Sequence, residues 1–298
     1  MQTPTIHIIL PVYNRIDTTR AYIDQLLAQS YTDYHLILAD DGSTDGTADM
    51  VASRVDNLTT LRGTGDWWWA GGLHAGYKWL LSHPPKDGDL VLLMNDDVRF
   101  EPDFLSSAVQ EMAGKANTLL AATAYDIHTG ESTPNCAYMD PVYIIFSADS
   151  ANEPNCCSTW TLFLRAEDMF KIGGFHPKLL PHFLSDIEYT LRAHQKGFQI
   201  LESSSVKIGV DFESTHNKPH NCQTISQYFQ SLFSKKNADS PVIFLFFAAL
   251  RIPWKKKHYF LRYLLRTLRT EARFFLTGPL PADLKRGIQR LKNVLANR

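Results

Sequence analysis

Residues 35–47 read HLILADDGSTDGT, a mostly aliphatic run that breaks into two adjacent aspartates and then into turn residues. An uninterrupted apolar run of this length suits a strand buried on both faces, and Ser43 or Thr44 is placed to cap a helix reaching about Arg54. The same unit recurs on either side. IHIIL at 6–10 forms a strand ended by Pro11, and Asp17 to Gln29 follow with Tyr22, Ile23, Leu26 and Leu27 at helical spacing. Beyond it lie Leu58 to Leu61, a Gly/Trp loop, a helix from about Gly72 to Leu81 and a strand from Leu90 to Met94. Strand and helix alternating in this way predict an α/β fold with a mostly parallel, Rossmann-like central sheet and helices on both faces. Ligands bind such sheets at the carboxyl ends of the strands, where the chemistry-bearing strings of this chain sit.

The rest of the catalytic-looking part is read more coarsely. A helix runs near Pro102 to Met112 and a strand from Leu119 to Ala124; Tyr125 to Asn155 read as hairpins or an acceptor-facing insert. Thr159 to Leu164 is strand-like, Ala166 to Ile172 a short helix ended by Gly173-Gly174, and Ser185 to Lys196 a helix closed by Gly197. Phe198 to Leu201 and Val206 to Val210 complete the sheet, and the chain beyond Gln223 reads as helical. The boundaries this gives are a domain at 1–222 and an extension at 223–298.

Composition narrows the function. The 298 residues are 44% hydrophobic and 20% charged, which excludes a disordered or fibrous chain. The net charge of −1 hides an asymmetry, for 13 basic and two acidic residues follow Leu250, leaving 17 basic against 29 acidic before it. The acidic balance of the larger part and the lack of a reading motif argue against nucleic acid as a partner. Cys136, Cys156, Cys157 and Cys222 form no CxxC pair and read as reduced thiols. The first residues lack a basic, secretory-type start, so a cytoplasmic location is expected. No apolar run approaches the roughly 20 residues that span a bilayer.

Two acidic pairs, Asp40-Asp41 and Asp96-Asp97, each follow an aliphatic strand. Carboxylates crowded at strand ends repel unless a cation or donors offset them, and a divalent metal with a nucleotide would do so. NDDV at 95–98 offers Asp97, with Asn95 or Asp96, as hard oxygen ligands for Mg2+ or Mn2+; capping of the helix near Pro102 is the alternative.

PVYN at 11–14, DDGSTDGT at 40–47, NDDV at 95–98, GGF at 173–175 and SDIEYTLRA at 185–193 resemble, in order and spacing, the family 2 glycosyltransferases of GT-A fold. The resemblance covers roughly residues 5 to 216. It implies a nucleotide-facing group of Pro11, Tyr13, Asn14, Asp40, Asp41, Arg62 and Asp96. It places NDDV where the family has its DxD, with Asp97 as the metal-binding carboxylate, Asn95 in place of the usual Asp, and His216 as a further ligand. Asp186 matches the family's general base, although Ser185 replaces the usual Glu before it, and a plain helix N-cap is compatible with the same position. Glu188 would orient an acceptor or Arg192.

GDWWWAGG at 65–72 is the most distinctive string. Three successive Trp cannot all face one side of an element, and core packing accounts for only one or two of them. The segment resembles the donor-sugar loop of bacterial surface-polysaccharide enzymes of rhamnosyltransferase type. That implies Asp66, Trp67, Trp68, Trp69, Gly71, Gly72 and His182 near the sugar or acceptor, and it favours a dTDP- or UDP-linked donor. An inverting, metal-dependent transfer to a saccharide or lipid-linked acceptor follows from the resemblance. A nucleotide-sugar-binding or scaffold protein that kept the fold is the alternative. A nucleotidyltransferase is disfavoured because PVYNRIDTT lacks the glycines of a triphosphate loop.

Finally, PVIFLFFAALRIPW at 241–254 leads into a stretch with Arg262, Arg266, Arg269 and Arg273 at helical spacing beside Leu and Phe. A basic amphipathic segment of this kind suits the surface of an anionic membrane, at the inner face of the plasma membrane; the alternative is helix-on-helix packing with the basic residues as a solvated face or a homodimer seam.

Overall fold

The computed structural model describes residues 3–140, 145–147, 152–212 and 240–251, together with Leu261, Leu265 and Arg269. The chain divides into two compact units, Met1–Asp140 with Ile145–His216, and Pro141–Ile144 with Asn217–Arg298. The first unit holds the sheet. Its elements in chain order are β1 (Ile6–Val12), α1 (Ile16–Leu27), β2 (Tyr34–Asp40), α2 (Thr47–Ala52), β3 (Leu58–Arg62), α3 (Trp68–Ser82) and β4 (Leu90–Met94). They continue with β5 (Val98–Arg99), α4 (Phe104–Met112), β6 (Thr118–Asp126), β7 (Ser132–Thr133), β8 (Cys136–Asp140) and β9 (Ile145–Ser147). The unit ends with β10 (Cys156–Cys157), β11 (Thr161–Arg165), α5 (Ala166–Ile172), α6 (Ser185–Gln195) and β12 (Gln199–Val210).

The main sheet runs β3-β2-β1-β4-β11-β6-β12-β5, with β7 beside β6. Strands β3, β2, β1 and β4 are parallel, as the alternation predicts, whereas β11 enters antiparallel between β4 and β6. Side chains alternate across each strand and both faces are apolar. Ile8, Leu10, Leu36, Leu38 and Leu92 pack under α1, α2 and α4; Ile9, Ile37, Val91 and Leu93 pack under α3, α5 and α6. A smaller sheet, β10-β8-β9, occupies the segment expected to form hairpins.

Several element boundaries differ from the sequence reading for identifiable reasons. β1 continues through Pro11 to Val12, because its register with β4 ends at Ile9 and only β2 still pairs beside the proline. α2 begins at Thr47 and is capped neither by Ser43 nor by Thr44. The N-cap position is Gly46, and Asp45 just before it binds the helix start, with Oδ1 accepting the Thr47 N–H at 3.0 Å while Oδ2 accepts the Ile16 N–H of α1 at 3.0 Å. α3 begins at Trp68 rather than near Gly72. β12 is one strand whose register against β6 shifts between Glu202 and Lys207, where two strands were expected.

Within the second unit the described residues form α7 (Pro241–Arg251), in which Ile243, Phe247 and Ala248 are buried and Phe246 is exposed. The remainder of the basic segment at 241–298, apart from Leu261, Leu265 and Arg269, lies outside the described residues, as do His216 and Cys222.

α3 lies close to the sheet because it carries glycine where a side chain would collide. A Cβ on Gly76 would stand 2.5 to 3.0 Å from three atoms of fully buried Ile9. Gly76→Ala therefore destabilises the protein by about 1 to 3 kcal/mol through overpacking, despite alanine's better helix propensity. Denaturant unfolding checks this; an unchanged or raised midpoint contradicts it.

Candidate active site

The carboxyl ends of β2 and β4, on either side of β1, present the acidic groups, and each carboxylate is held differently. Asp40 is buried; its Oδ1 accepts the Ser43 N–H at 2.9 Å, and its Oδ2 has no hydrogen-bond partner. Asp41 is committed on both oxygens, Oδ1 to the Gly65 N–H and Oδ2 to the Trp68 N–H, each at 2.9 Å. That second bond caps α3 from 27 residues upstream and explains why the helix starts at the tryptophans. Asn14, in the left-handed region at φ 50°, clamps two loops, its N–H donating to Ser43 Oγ and its Oδ1 accepting the Thr44 N–H. Tyr13 is half exposed, and Arg62 lies exposed 3.7 Å from Asp49.

After β4 the NDDV residues point three ways. Asp96 turns inward, accepting from Thr19 Oγ1 at 2.8 Å, with Arg15 Nε at 3.3 Å. Burial pushes its carboxyl up to about 6, against the pull of Arg15. This inward setting differs from the nucleotide contact the resemblance implies. Asp97 is 45% exposed and its Oδ2 accepts from Arg15 Nη2 at 3.0 Å. Arg15 thus supplies the cation that two adjacent carboxylates require. The sequence reading missed it because 82 residues separate it from Asp97. Asn95 Oδ1 accepts the indole N–H of Trp69 at 2.8 Å.

No group of three or more His, Cys, Asp or Glu side chains able to hold a metal occurs among the described residues. Asp97 alone offers an accessible carboxylate at this strand end. A hard divalent cation fits it provided other ligands come from phosphate oxygens, since such ions commonly combine one or two carboxylates with substrate phosphate.

Trp68 and Trp69 open the first turn of α3, and Trp67 is its N-cap. Trp67 lies against Gly63, where a Cβ would be 2.7 Å from the indole, and against Gly71. Trp68, at φ 55°, has its ring 6.4 Å from His182. Trp69 meets Phe175 edge-on at 5.8 Å. Gly71 and Gly72 are buried within the helix, and a Cβ on Gly72 would stand 2.9 Å from Pro11 Cβ. Gly72 serves close helix–sheet approach, while a Cβ on Gly71 would stand 2.9 Å from Trp67 Cβ. Asp66 is exposed just ahead of them.

Asp186 stands in the first turn of α6, its Oδ1 accepting the Ile187 N–H at 2.8 Å. Burial pushes its carboxyl up to about 6, while backbone N–H groups of Ile187, Asp186 and Thr159 pull it down. Buried Ser185 donates its hydroxyl to the His182 carbonyl. His182 is lowered by burial, with Asp97 acting in the opposite direction. Of the two partners considered for Glu188, the structure pairs it with Arg192: Nε and Nη2 reach its two oxygens at 3.1 and 3.0 Å. Arg192 also donates to the carbonyls of Ile172 at 2.9 Å and Gly174 at 2.8 Å, tying α6 to the GGF turn. Arg192→Met strands the buried Glu188 charge and two carbonyls, so a loss of about 3 kcal/mol in unfolding free energy is expected. A denaturation midpoint matching the unsubstituted protein contradicts it.

The family model for glycosyl transferase family 2 matches residues 7–170. The glycosyltransferase AglE of Haloferax volcanii is 21% identical over 208 residues, covering 68% of this chain and 66% of that protein. A glycosyltransferase of Rickettsia prowazekii, RP339, is 39% identical over 59 residues, 20% of this chain and 19% of its own length. Among solved structures, the mannosyltransferase PcManGT of Pyrobaculum calidifontis, with GDP-Man and Mn2+, superposes over 100% of this chain and 81% of its own at TM-score 0.54 and 16% identity. TarS of S. aureus, with UDP-GlcNAc, does so over 93% and 76% at TM-score 0.57 and 15% identity. With more than half of its length matched by the family model and its sheet superposing on these enzymes, the chain belongs to glycosyltransferase family 2 and has the GT-A fold.

Proposed function

We propose that this chain transfers a sugar from a nucleoside diphosphate to a hydroxyl of a saccharide acceptor, with inversion at the anomeric carbon. The observation that carries the reading is Asp186, a carboxyl in the first turn of α6 that burial holds near 6 and that is held by the backbone N–H groups of Ile187, Asp186 and Thr159. A base with that midpoint is ionised at neutral pH yet retains affinity for a proton. Asp186 takes the proton of the acceptor hydroxyl. The hydroxyl oxygen bonds to the anomeric carbon as the bond to the diphosphate breaks, in one displacement.

On the donor side, the unpartnered Oδ2 of Asp40 is an acceptor suited to an N–H of the base, and half-exposed Tyr13 offers a ring against it. A Mg2+ or Mn2+ ion bound at Asp97, with His216 as a further ligand, would stabilise the charge developing on the leaving diphosphate. Arg15, already on Asp97, adds a fixed positive charge at the same place. Asp66, Trp68 and His182 face the sugar and acceptor. The solved neighbours hold GDP-Man or UDP-GlcNAc, and Mn2+ accompanies the former. For this chain the Trp-rich turn favours a dTDP- or UDP-linked sugar, and a role in bacterial surface-polysaccharide synthesis on a lipid-linked acceptor. Among the described residues no helix is long and apolar enough to cross a membrane. The arginines at 262, 266, 269 and 273 support peripheral attachment to an anionic surface on the cytoplasmic side.

Two measurements test this. Because the reaction needs the carboxylate form of Asp186, kcat/KM falls as pH drops through about 6, and Asp186→Asn removes about 100-fold or more of the transfer rate while leaving donor binding intact. The stability effect has the opposite sense: a raised carboxyl stabilises the fold below the ordinary carboxylate range, and that contribution is lost as pH rises through about 6. A flat activity profile from pH 5 to 8, or an active Asp186→Asn, overturns the base assignment; no transfer by the unsubstituted protein leaves a binding-only protein. In flotation assays with anionic vesicles, Arg262→Glu combined with Arg266→Glu abolishes binding; undiminished binding overturns the membrane role.

A further inference from the structure

Asn95 stands where the family's pattern has an acid, and its geometry assigns it different work. An indole N–H can only donate, so the amide atom 2.8 Å from Trp69 Nε1 is the oxygen. With Oδ1 engaged there, the other branch of the amide is an NH2 group, which repels a cation and suits an anionic oxygen. The backbone N–H of Asn95 donates to the Trp160 carbonyl at 3.0 Å, so the residue is fixed at both main chain and side chain.

From Trp69 the contacts run on to α6. Its ring meets Phe175 edge-on at 5.8 Å and 84°, and Phe175 lies flat on Tyr189 at 4.5 Å and 11°. Phe175 and Tyr189 are both buried, and Arg192 sits 5.3 Å above the Tyr189 ring while holding the Gly174 carbonyl next to Phe175. Asp97 lies two residues beyond Asn95, and Asp186 lies three residues before Tyr189. One line of packed rings therefore joins the loop bearing the first carboxylate to the helix bearing the second.

We propose that Trp69 and Asn95 are positioning residues that set the Asp97 loop against α6, with Asn95 acting as the anchor for the indole and not as a ligand of the cation. The inference rests on the glycosyl-transfer reading given above. It accounts for the amide at position 95: a carboxylate there would also accept from Trp69, but it would add a third negative charge beside buried Asp96 and exposed Asp97. Asparagine keeps the acceptor without the charge.

The test measures Mn2+-dependent binding of UDP, dTDP and GDP by calorimetry, with the Mn2+ electron paramagnetic resonance signal and the thermal midpoint recorded for each variant. Trp69→Phe keeps a ring and loses the N–H; Asn95→Ala loses the acceptor. Each is expected to weaken Mn2+–nucleotide binding about 10-fold or more, as loss of a group that orients a metal ligand does. The double variant is expected to be no weaker than either single one, because both remove the same bond. Asn95→Asp retains the acceptor and is expected to bind within about 3-fold of the unsubstituted protein. If Trp69→Phe and Asn95→Ala bind normally, or if Asn95→Asp tightens Mn2+ about 10-fold as a new ligand would, the proposal fails while the transferase reading stands. If Trp69→Phe does not fold, the two Asn95 variants decide. If the unsubstituted protein binds none of the three nucleotides with Mn2+, the transferase reading itself fails, and this inference with it.

Discussion

Four carboxylates at the ends of two strands, with one strand between them, set the constraint to which the rest of the molecule answers. The three buried ones, Asp40, Asp41 and Asp96, must find donors or remain uncompensated charges. Asp41 takes two backbone N–H groups and in doing so begins α3. Asp40 takes one N–H from the turn that follows it. Asp96 is secured by Thr19 and Arg15, and Arg15 extends to Asp97. The loops that follow these strands are thus folded by the same negative charge they carry. Only Asp40 Oδ2 and the exposed face of Asp97 remain for a ligand to use.

What the sequence made legible was whatever is encoded locally. β4 from Leu90 to Met94 and α5 from Ala166 to Ile172 have the boundaries their apolar runs and flanking turns predict. The acidic pairs fall at strand ends because a buried strand cannot carry them within its length. Glu188 and Arg192, four apart on a helix, form the ion pair that spacing permits.

The features that were not legible depend on partners far along the chain. α3 starts early because its cap is Asp41 on a neighbouring strand, and no nearby residue signals it. The role of Arg15 needs a contact across 82 positions. Gly72 and Gly76 follow from the closeness of α3 to β1, and which glycines make that approach is something a one-dimensional pattern does not contain. Asp45 binds the starts of two helices whose ends meet only in three dimensions.

The first turn of α3 has an optical consequence. Half of the six tryptophans in the chain sit there in sequence, and each indole meets different surroundings: glycine backbone, a histidine ring, or a phenylalanine edge with an amide oxygen. Ultraviolet emission from this protein is therefore weighted toward one end of one helix, so quenching or a change of wavelength on titration reports on that turn without any attached dye.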